Sequence, residues 1–402
     1  MNLLLVGVDL VGLAISAKRA GYRVLAADYF GDYDLQRTCD RCVSVIQQRS
    51  GASSGRIEES YDSKAYFRLT ESMAEEEHVD AILLSSGLDD EFDTLSELER
   101  IAPILGNKPE VIRAVRDREG FFSELNRLGI PHPHTELASD LREAKERARD
   151  IGYPVVLKPT VGFAGSGIRF VDSVQSLEDE YTRLEGWNPE GVLIQEYVEG
   201  LNASVSFIST SKDARVLTVN EQLIGMEEVY PSEPFGYCGN IVPLDVSEST
   251  RAQCEEISAR ISRRFNLWGS NGVDLVITED GTPHIIEVNP RFQGTLECVE
   301  RILGVNLVQL HVQACLKRTL PKEIDESDEY WSRLILFAPW EAVALGLTGL
   351  PGVRDIPFPG SIIEEGEPLC SVFSRGDSRE TSLNKAKMKA DSIYSSIRRS
   401  TH

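Results

Sequence analysis

Three residues in NGVDLVITEDGTPHIIEVNPR, residues 271–291, have the types and spacing to hold a hard cation. Two strand-like runs flank Asp280-Gly281, a strong short signal for a two-residue hairpin turn. With that pair as the loop, Glu279 pairs with Thr282, and stepping outward sets Asp274 opposite Glu287 and Gly272 opposite Asn289. Opposed residues share a face of a sheet. Asp274, Glu287 and Asn289 therefore gather on one side, while Val273, Leu275, Ile286 and Val288 supply a core on the other. Two opposed carboxylates repel unless a cation sits between them, and oxygen ligands of this kind suit Mg²⁺, or Mn²⁺, completed by water and nucleotide phosphates. A solvated acidic hairpin face is the competing explanation.

A second stretch, VVLKPTVGFAGSGIRFV at 155–171, is an apolar run ending in Lys158, then a glycine-rich turn, then another apolar run. A Walker loop places its lysine after the glycines, so this is not a P-loop. The turn is either punctuation between strands or a place where backbone approaches a ligand closely. Gly7, Gly12 and Asp28 imitate a dinucleotide fingerprint, but Asp9 stands where its middle glycine belongs, which argues against NAD. Cys39 and Cys42 form a CxxC with no second pair nearby, too few ligands for structural zinc.

Elements must position these residues. Residues 3–7, 24–28 and 81–85 look like buried parallel strands, the first two around an amphipathic helix, a βαβ-type unit. Past LGNKPE two helices are expected near 108–128, then a GIPHPH break and a third helix over SDLREAKERARDIG. Strands dominate 155–289 around one long helix near 248–265. The tail beyond 320 holds short strands, Pro/Gly turns and a closing helix near 378–398. The fold class is α/β and α+β.

Of the 402 residues 41% are hydrophobic, enough for two or three cored domains. A net charge of -22 repels nucleic acid and anionic lipid. No positive charge precedes the apolar N-terminal residues and Asp9 interrupts them, so they read as a strand and helix rather than a signal peptide. No apolar run approaches the roughly 20 residues that span a bilayer. Seven scattered cysteines argue against a disulfide framework, and the expected location is cytoplasmic.

Lys158 before a glycine-rich hairpin, LIQEYVEG at 193–200, then VDL and EVNPR, in this order and spacing, resemble the ATP-grasp superfamily. The resemblance runs over essentially the whole chain and is strongest to archaeal-type predicted ATP-dependent carboligases related to biotin carboxylase. It implies a Rossmann-like pre-ATP-grasp domain over 1–116, a two-lobed ATP-grasp domain over 117–318 and a small β-rich domain over 319–402. It makes the loop from Gly162 to Gly167, with Gly165 and Ser166, a lid over the triphosphate, and brings Lys158 to the phosphates. Gln195, Glu196 and Val198 fall at the interdomain hinge that binds adenine. Asn202 stands near a position where relatives place glutamate, and Arg118 where a lysine is usual; Arg118 still offers a fork of donors to phosphate. Asp274, Glu287 and Asn289 would hold two ions, and Arg291 would steady the transferring phosphate or the acyl intermediate. Tyr237 and Asn240, in PFGYCGNIVPL, fall where relatives place a substrate-facing loop. His284, on the core face of the hairpin, and His311, in an apolar helix, read as packing residues.

The implied reaction is transfer of the ATP γ-phosphate to a small-molecule carboxylate, followed by attack of an amine or other nucleophile. Neither nucleic acid nor membrane is an expected partner, and a homodimer is compatible with the resemblance. A bicarbonate-activating carboxylase and a non-catalytic ATP-binding regulator are the alternatives. Biotin carboxylases continue past the metal-binding strand with a glutamate that serves as base, whereas here FQGTLE puts Thr295 at that place.

Overall fold

The computed structural model describes residues 1–57, 61–162, 164–184, 191–322 and 324–400. Strands Arg41–Ser44, Arg23–Asp28, Asn2–Gly7 and Ala81–Leu84 lie in that order in one parallel sheet, with helix Val11–Arg19 connecting the first two along the chain. The strands are buried, as uninterrupted apolar runs such as LLLV require.

A small antiparallel sheet carries Lys158. Its order is Thr135–Ala138, Val192–Glu196, Val155–Pro159, Arg169–Val171. Helices Leu141–Ile151 and Val174–Leu184 cover its apolar side. The second of these was not anticipated among the strands of 155–289. SLEDEYTRL alternates polar and apolar residues irregularly, and only packing of Leu177, Tyr181 and Leu184 against the sheet exposes the helical period.

The largest sheet has eight antiparallel strands, in the order Pro283–Asn289, Trp268–Ile277, Leu201–Thr210, Ala214–Ile224, Tyr237–Val242, Tyr330–Phe337, Pro368–Gly376, Val353–Arg354. The tail therefore contains two long strands, not only short ones, and hydrogen-bonding runs without a break from Tyr237–Val242 into Tyr330–Phe337. Helix Glu248–Phe265, capped by the Ser247 hydroxyl accepting from the Thr250 N–H, packs Ile257, Ile261 and Phe265 onto the hairpin face.

Helices Leu296–Leu303 and Leu307–Lys317 weld the parallel sheet to the large one through a shared core that includes Leu13, Ala17, Ile208, Val299 and Val308. Glu300, almost wholly buried, accepts from the Ser16 hydroxyl at 2.5 Å and from Arg19 at 3.0 Å, which fixes helix Val11–Arg19 and the Asp9 loop before it. His311 is a packing residue, as expected: its Nδ1 accepts from the Ser270 N–H at 2.8 Å and its Nε2 lies 2.7 Å from the Leu105 carbonyl.

The hairpin departs from the expected one in an instructive way. Thr278 N–H donates to the Thr282 carbonyl, so the loop has an extra residue, with Gly281 at φ +84°. A bulge after Asp274 then takes up the slip: Asp274 faces Glu287, but Leu275 faces Ile285. The two one-residue displacements cancel at the acidic pair and not between them. Ile285 joins the core in place of Ile286, which turns toward the opposite face, and His284 sits opposite Val276, away from the core.

Candidate functional site

A cavity of about 500 Å³ opens between the small sheet, the large sheet and the ends of the parallel strands. One wall is the hairpin face that carries Asp274, Glu287 and Asn289; Arg291 lies just beyond, and Lys158 and Arg118 face it. Gly162, Gly165 and Ser166 roof it, and Gln195, Glu196, Val198 and Asn202 line the end nearest the turn after strand Val192–Glu196. Phe163 lies outside the described residues. Of the residues singled out in the sequence, Gly167 and Asn240 are not in the lining. Gly167 packs on Pro159 at φ +70°, a conformation side chains rarely adopt, and shapes the turn. Asn240 is buried and donates to the Tyr237 hydroxyl at 2.7 Å, so it orients a lining residue instead of being one.

The roofing loop rests on the segment before strand Tyr237–Val242. The Tyr237 N–H donates to the Ala164 carbonyl at 3.1 Å, and a Cβ at Gly165 would lie 1.9 Å from the Phe235 carbonyl oxygen. Only glycine permits that approach. Arg169 at the loop's far end pairs with Glu233, tying it down a second time.

The two opposed carboxylates live in different surroundings. Glu287 is approached by Arg116 at 3.3 Å and Arg118 at 3.5 Å. Burial opposes its ionisation, yet Arg116, Arg118, Lys158 and Arg291 outweigh it and hold Glu287 well below the usual carboxylate range. Asp274 accepts from Gln222 Nε2 and Asn289 Nδ2, both at 2.9 Å. Burial first, and the facing Glu287 second, push it well above that range. Burial also pushes Lys158 down to about 8, against the pull of Glu287. The repulsion expected to demand a cation between the acids is thus met in part by cations on the far side of Glu287.

Two carboxylates and an amide oxygen on one face fit a hard divalent ion with open positions for phosphate oxygens. Among the described residues, no group of three or more His, Cys, Asp or Glu forms an all-protein metal cage. Arg291 is braced by Asp89 through Nε at 2.9 and 3.0 Å, and its other nitrogens reach the Phe292 carbonyl and Asn289 Oδ1. Two of its five N–H groups stay uncommitted among the described residues, free for an anion in the cavity.

Sequence reasoning missed several contributors. Arg116 sits two residues before Arg118 in VRDREG and is held by Asp90 through Nε at 2.7 Å and Nη2 at 2.6 Å; the paired arginines were the available signal. Arg333 is a lone charge in the apolar strand YWSRLILF, a position that demands buried partners. It finds them in Asp9 at 2.8 Å and Asp355 at 3.0 Å. The Asp9 that replaces the dinucleotide-fingerprint glycine is therefore an ion-pair residue of the cavity wall. Gln222 and Asp89 carried no signal of their own.

A family model described as the ATP-grasp domain matches residues 115–295. An uncharacterized protein of Methanocaldococcus jannaschii is 27% identical over 93% of this chain and 88% of its own length. The carbamoyl phosphate synthase arginine-specific large chain of Bacillus subtilis is 27% identical over 80% of this chain, which spans only 30% of that relative. Among solved structures, biotin carboxylase from Campylobacter jejuni superposes with a TM-score of 0.72 at 15% identity, covering 96% of this chain and 89% of that one. The L-amino acid ligase of Bacillus licheniformis gives 0.70 at 17%, covering 100% and 99%. At such identities the structural likeness speaks for fold. Residues 115–295 thus match the ATP-grasp domain, and the solved structures share the fold of the chain.

Proposed function

We propose that the protein is an ATP-dependent ligase that activates a carboxylate as an acyl phosphate for attack by an amine, releasing ADP and phosphate. The observation that carries this reading is the single cavity wall on which Asp274, Glu287, Asn289 and Arg291 stand opposite Lys158. Mg²⁺ held by Asp274, Glu287 and Asn289 would neutralise charge on the transferring phosphoryl group. Lys158 and the free N–H groups of Arg291 orient its oxygens, and the 162–167 loop excludes water from above. A substrate carboxylate oxygen then attacks the γ-phosphorus as the bond to the bridging oxygen of ADP breaks. The amine nitrogen attacks the acyl carbon, phosphate leaves, and the amine proton passes to solvent or phosphate.

Two features favour an organic acid over bicarbonate. Thr295, at the place of the carboxylase base, is buried with its hydroxyl 3.0 Å from that of Ser206 and has no basic group to offer. Glu297 is turned away, held by Arg301 at 3.0 Å and Arg354 at 3.1 Å. The test is ADP release across a panel of organic acids, with hydroxylamine to trap the acyl phosphate as a hydroxamate. An organic acid that gives both ADP and hydroxamate supports the ligase; ADP release driven by bicarbonate alone, with no hydroxamate from any acid, overturns it.

A further inference from the structure

Part of the cavity lining belongs to neither the nucleotide-side residues nor the acidic hairpin. It comes from the loops after strands Asn2–Gly7, Arg23–Asp28, Arg41–Ser44 and Val353–Arg354, and from strands Tyr330–Phe337, Ile362–Ile363 and Pro368–Gly376. Phe30, Ile57, Phe337, Ile363 and Leu369 give it apolar walls, and Asp9, Asp32, Asp355 and Glu367, the last accepting from the Ile57 N–H at 3.2 Å, give it carboxylates.

Among the described residues, the cation that stands among these groups, Arg333, is already spent. Arg333 donates from Nε to the Ser371 hydroxyl, from Nη1 to Asp9 and the Gly294 carbonyl, and from Nη2 to Asp355, Asp9 and Ser371. With every donor engaged, it holds Asp9 and Asp355 in place and has none left for a ligand carboxylate. Arg354, next to Asp355 in the chain, is committed to Glu297. Asp32 is different. It is only 8% exposed and lines the cavity, yet among the described residues its sole side-chain hydrogen bond is a marginal 3.5 Å approach of Gln48 Nε2 to Oδ1. No donor reaches Oδ2 among the described residues. Near it, Asp28 adds a buried carboxylate whose Oδ1 is also without a hydrogen-bond partner among the described residues.

A buried carboxylate with no donor costs several kcal/mol unless something supplies one. Four acidic side chains around one saturated arginine leave no free donor for an anion and offer acceptors to a cation. We infer that this chamber binds a substrate bearing a primary ammonium group on an apolar body, with Asp32 as its direct partner and the Phe30–Ile57–Phe337 walls around its carbon skeleton. The inference rests on the ligase reading for its place in a reaction, and names the chemical class of one of the two substrates. The electrostatics agree: burial first, and mutual repulsion next, raise Asp32 well above the ordinary range, while burial pushes Asp28 up to about 8 and Asp355 up to about 7. A bound cation relieves that strain.

The test uses the full chain without nucleotide, so it stands apart from the hydroxamate assay. Thermal shift is measured with butylamine, hexylamine and octylamine against hexanol and hexanoate at millimolar concentration. The amines stabilise the protein and the alcohol and carboxylate of matched length do not. In Asp32→Asn the amine midpoint rises about tenfold, the scale of a lost charge-assisted hydrogen bond. No shift with any amine, hexanoate equal to or better than hexylamine, hexanol equal to hexylamine, or an unchanged midpoint in Asp32→Asn each overturns the inference. Because the wild-type comparison of head groups needs no variant, poor folding of Asp32→Asn does not rescue it.

Discussion

Asp274 and Glu287 face each other across one hairpin, and removing either charge should move stability in opposite directions. Glu287 sits among Arg116, Arg118 and Lys158, and being held at about 2 against 4.5 for a free glutamate corresponds to roughly 3 kcal/mol in favour of its ionised form in the fold. That contribution is complete above pH 4.5 and is lost as pH falls toward 2. Asp274 titrates at about 7 against 3.8. Its ionisation therefore costs nothing below pH 3.8 and weakens the fold fully above pH 7, by roughly 4 kcal/mol before allowance for solvent in the cavity. Asn at 274 recovers part of this but leaves Gln222 or Asn289 short of an acceptor, a loss of about 1 kcal/mol. At pH 8, in EDTA and low salt, Asp274→Asn should gain about 1–2 kcal/mol and Glu287→Gln should lose about 2–3 kcal/mol by urea denaturation. Both variants should lose phosphoryl transfer by about a hundredfold or more, since each removes a proposed metal ligand. Stabilisation by Glu287→Gln, or destabilisation by Asp274→Asn larger than that of Glu287→Gln, would refute the electrostatic reasoning.

Further outcomes follow from the same geometry. Mg-ATP should stabilise the full chain by about 2.7 kcal/mol at a hundredfold excess over its Kd, and NAD should not; the reverse pattern in thermal shift sinks the nucleotide assignment. Proteolysis in the 162–167 loop should slow with a non-hydrolysable ATP analogue, and equal cleavage with and without it argues against a lid. Gly165→Ala forces a Cβ into the Phe235 carbonyl at φ +86°, so its Mg-ATP affinity should fall about tenfold, the scale of 1–3 kcal/mol of backbone strain; unchanged affinity means the loop does not seat there. His311 is buried and pushed down to about 4, so its neutral form supports the fold above pH 6.5 and that support is lost as pH falls toward 4. It amounts to roughly 3 kcal/mol, and His311→Gln should flatten the stability slope across that window; an identical slope rules the linkage out.

The acidic pair was legible in the sequence because local rules govern it. A Gly-containing turn and alternation along two strands bring Asp274 to Glu287, and the facing survived even though the loop length and the bulge were both missed. Helix Glu248–Phe265 was legible for the same reason, with its Ser247 cap and its apolar period written in neighbouring residues. What the sequence could not show is which charges meet across long separations. Arg116 reaches Glu287, Asp9 reaches Arg333 and Asp89 braces Arg291 only because three sheets converge on one cavity. Those contacts decide that one acid of the pair is held ionised and the other is driven toward its protonated form. No spacing rule relates Asp9 to Arg333, since the energy that joins them is Coulombic and depends on distance and burial in the folded chain. The sequence by itself determined the chemistry of the acidic hairpin face, and the tertiary structure determined its charge balance and the acidic chamber beside it.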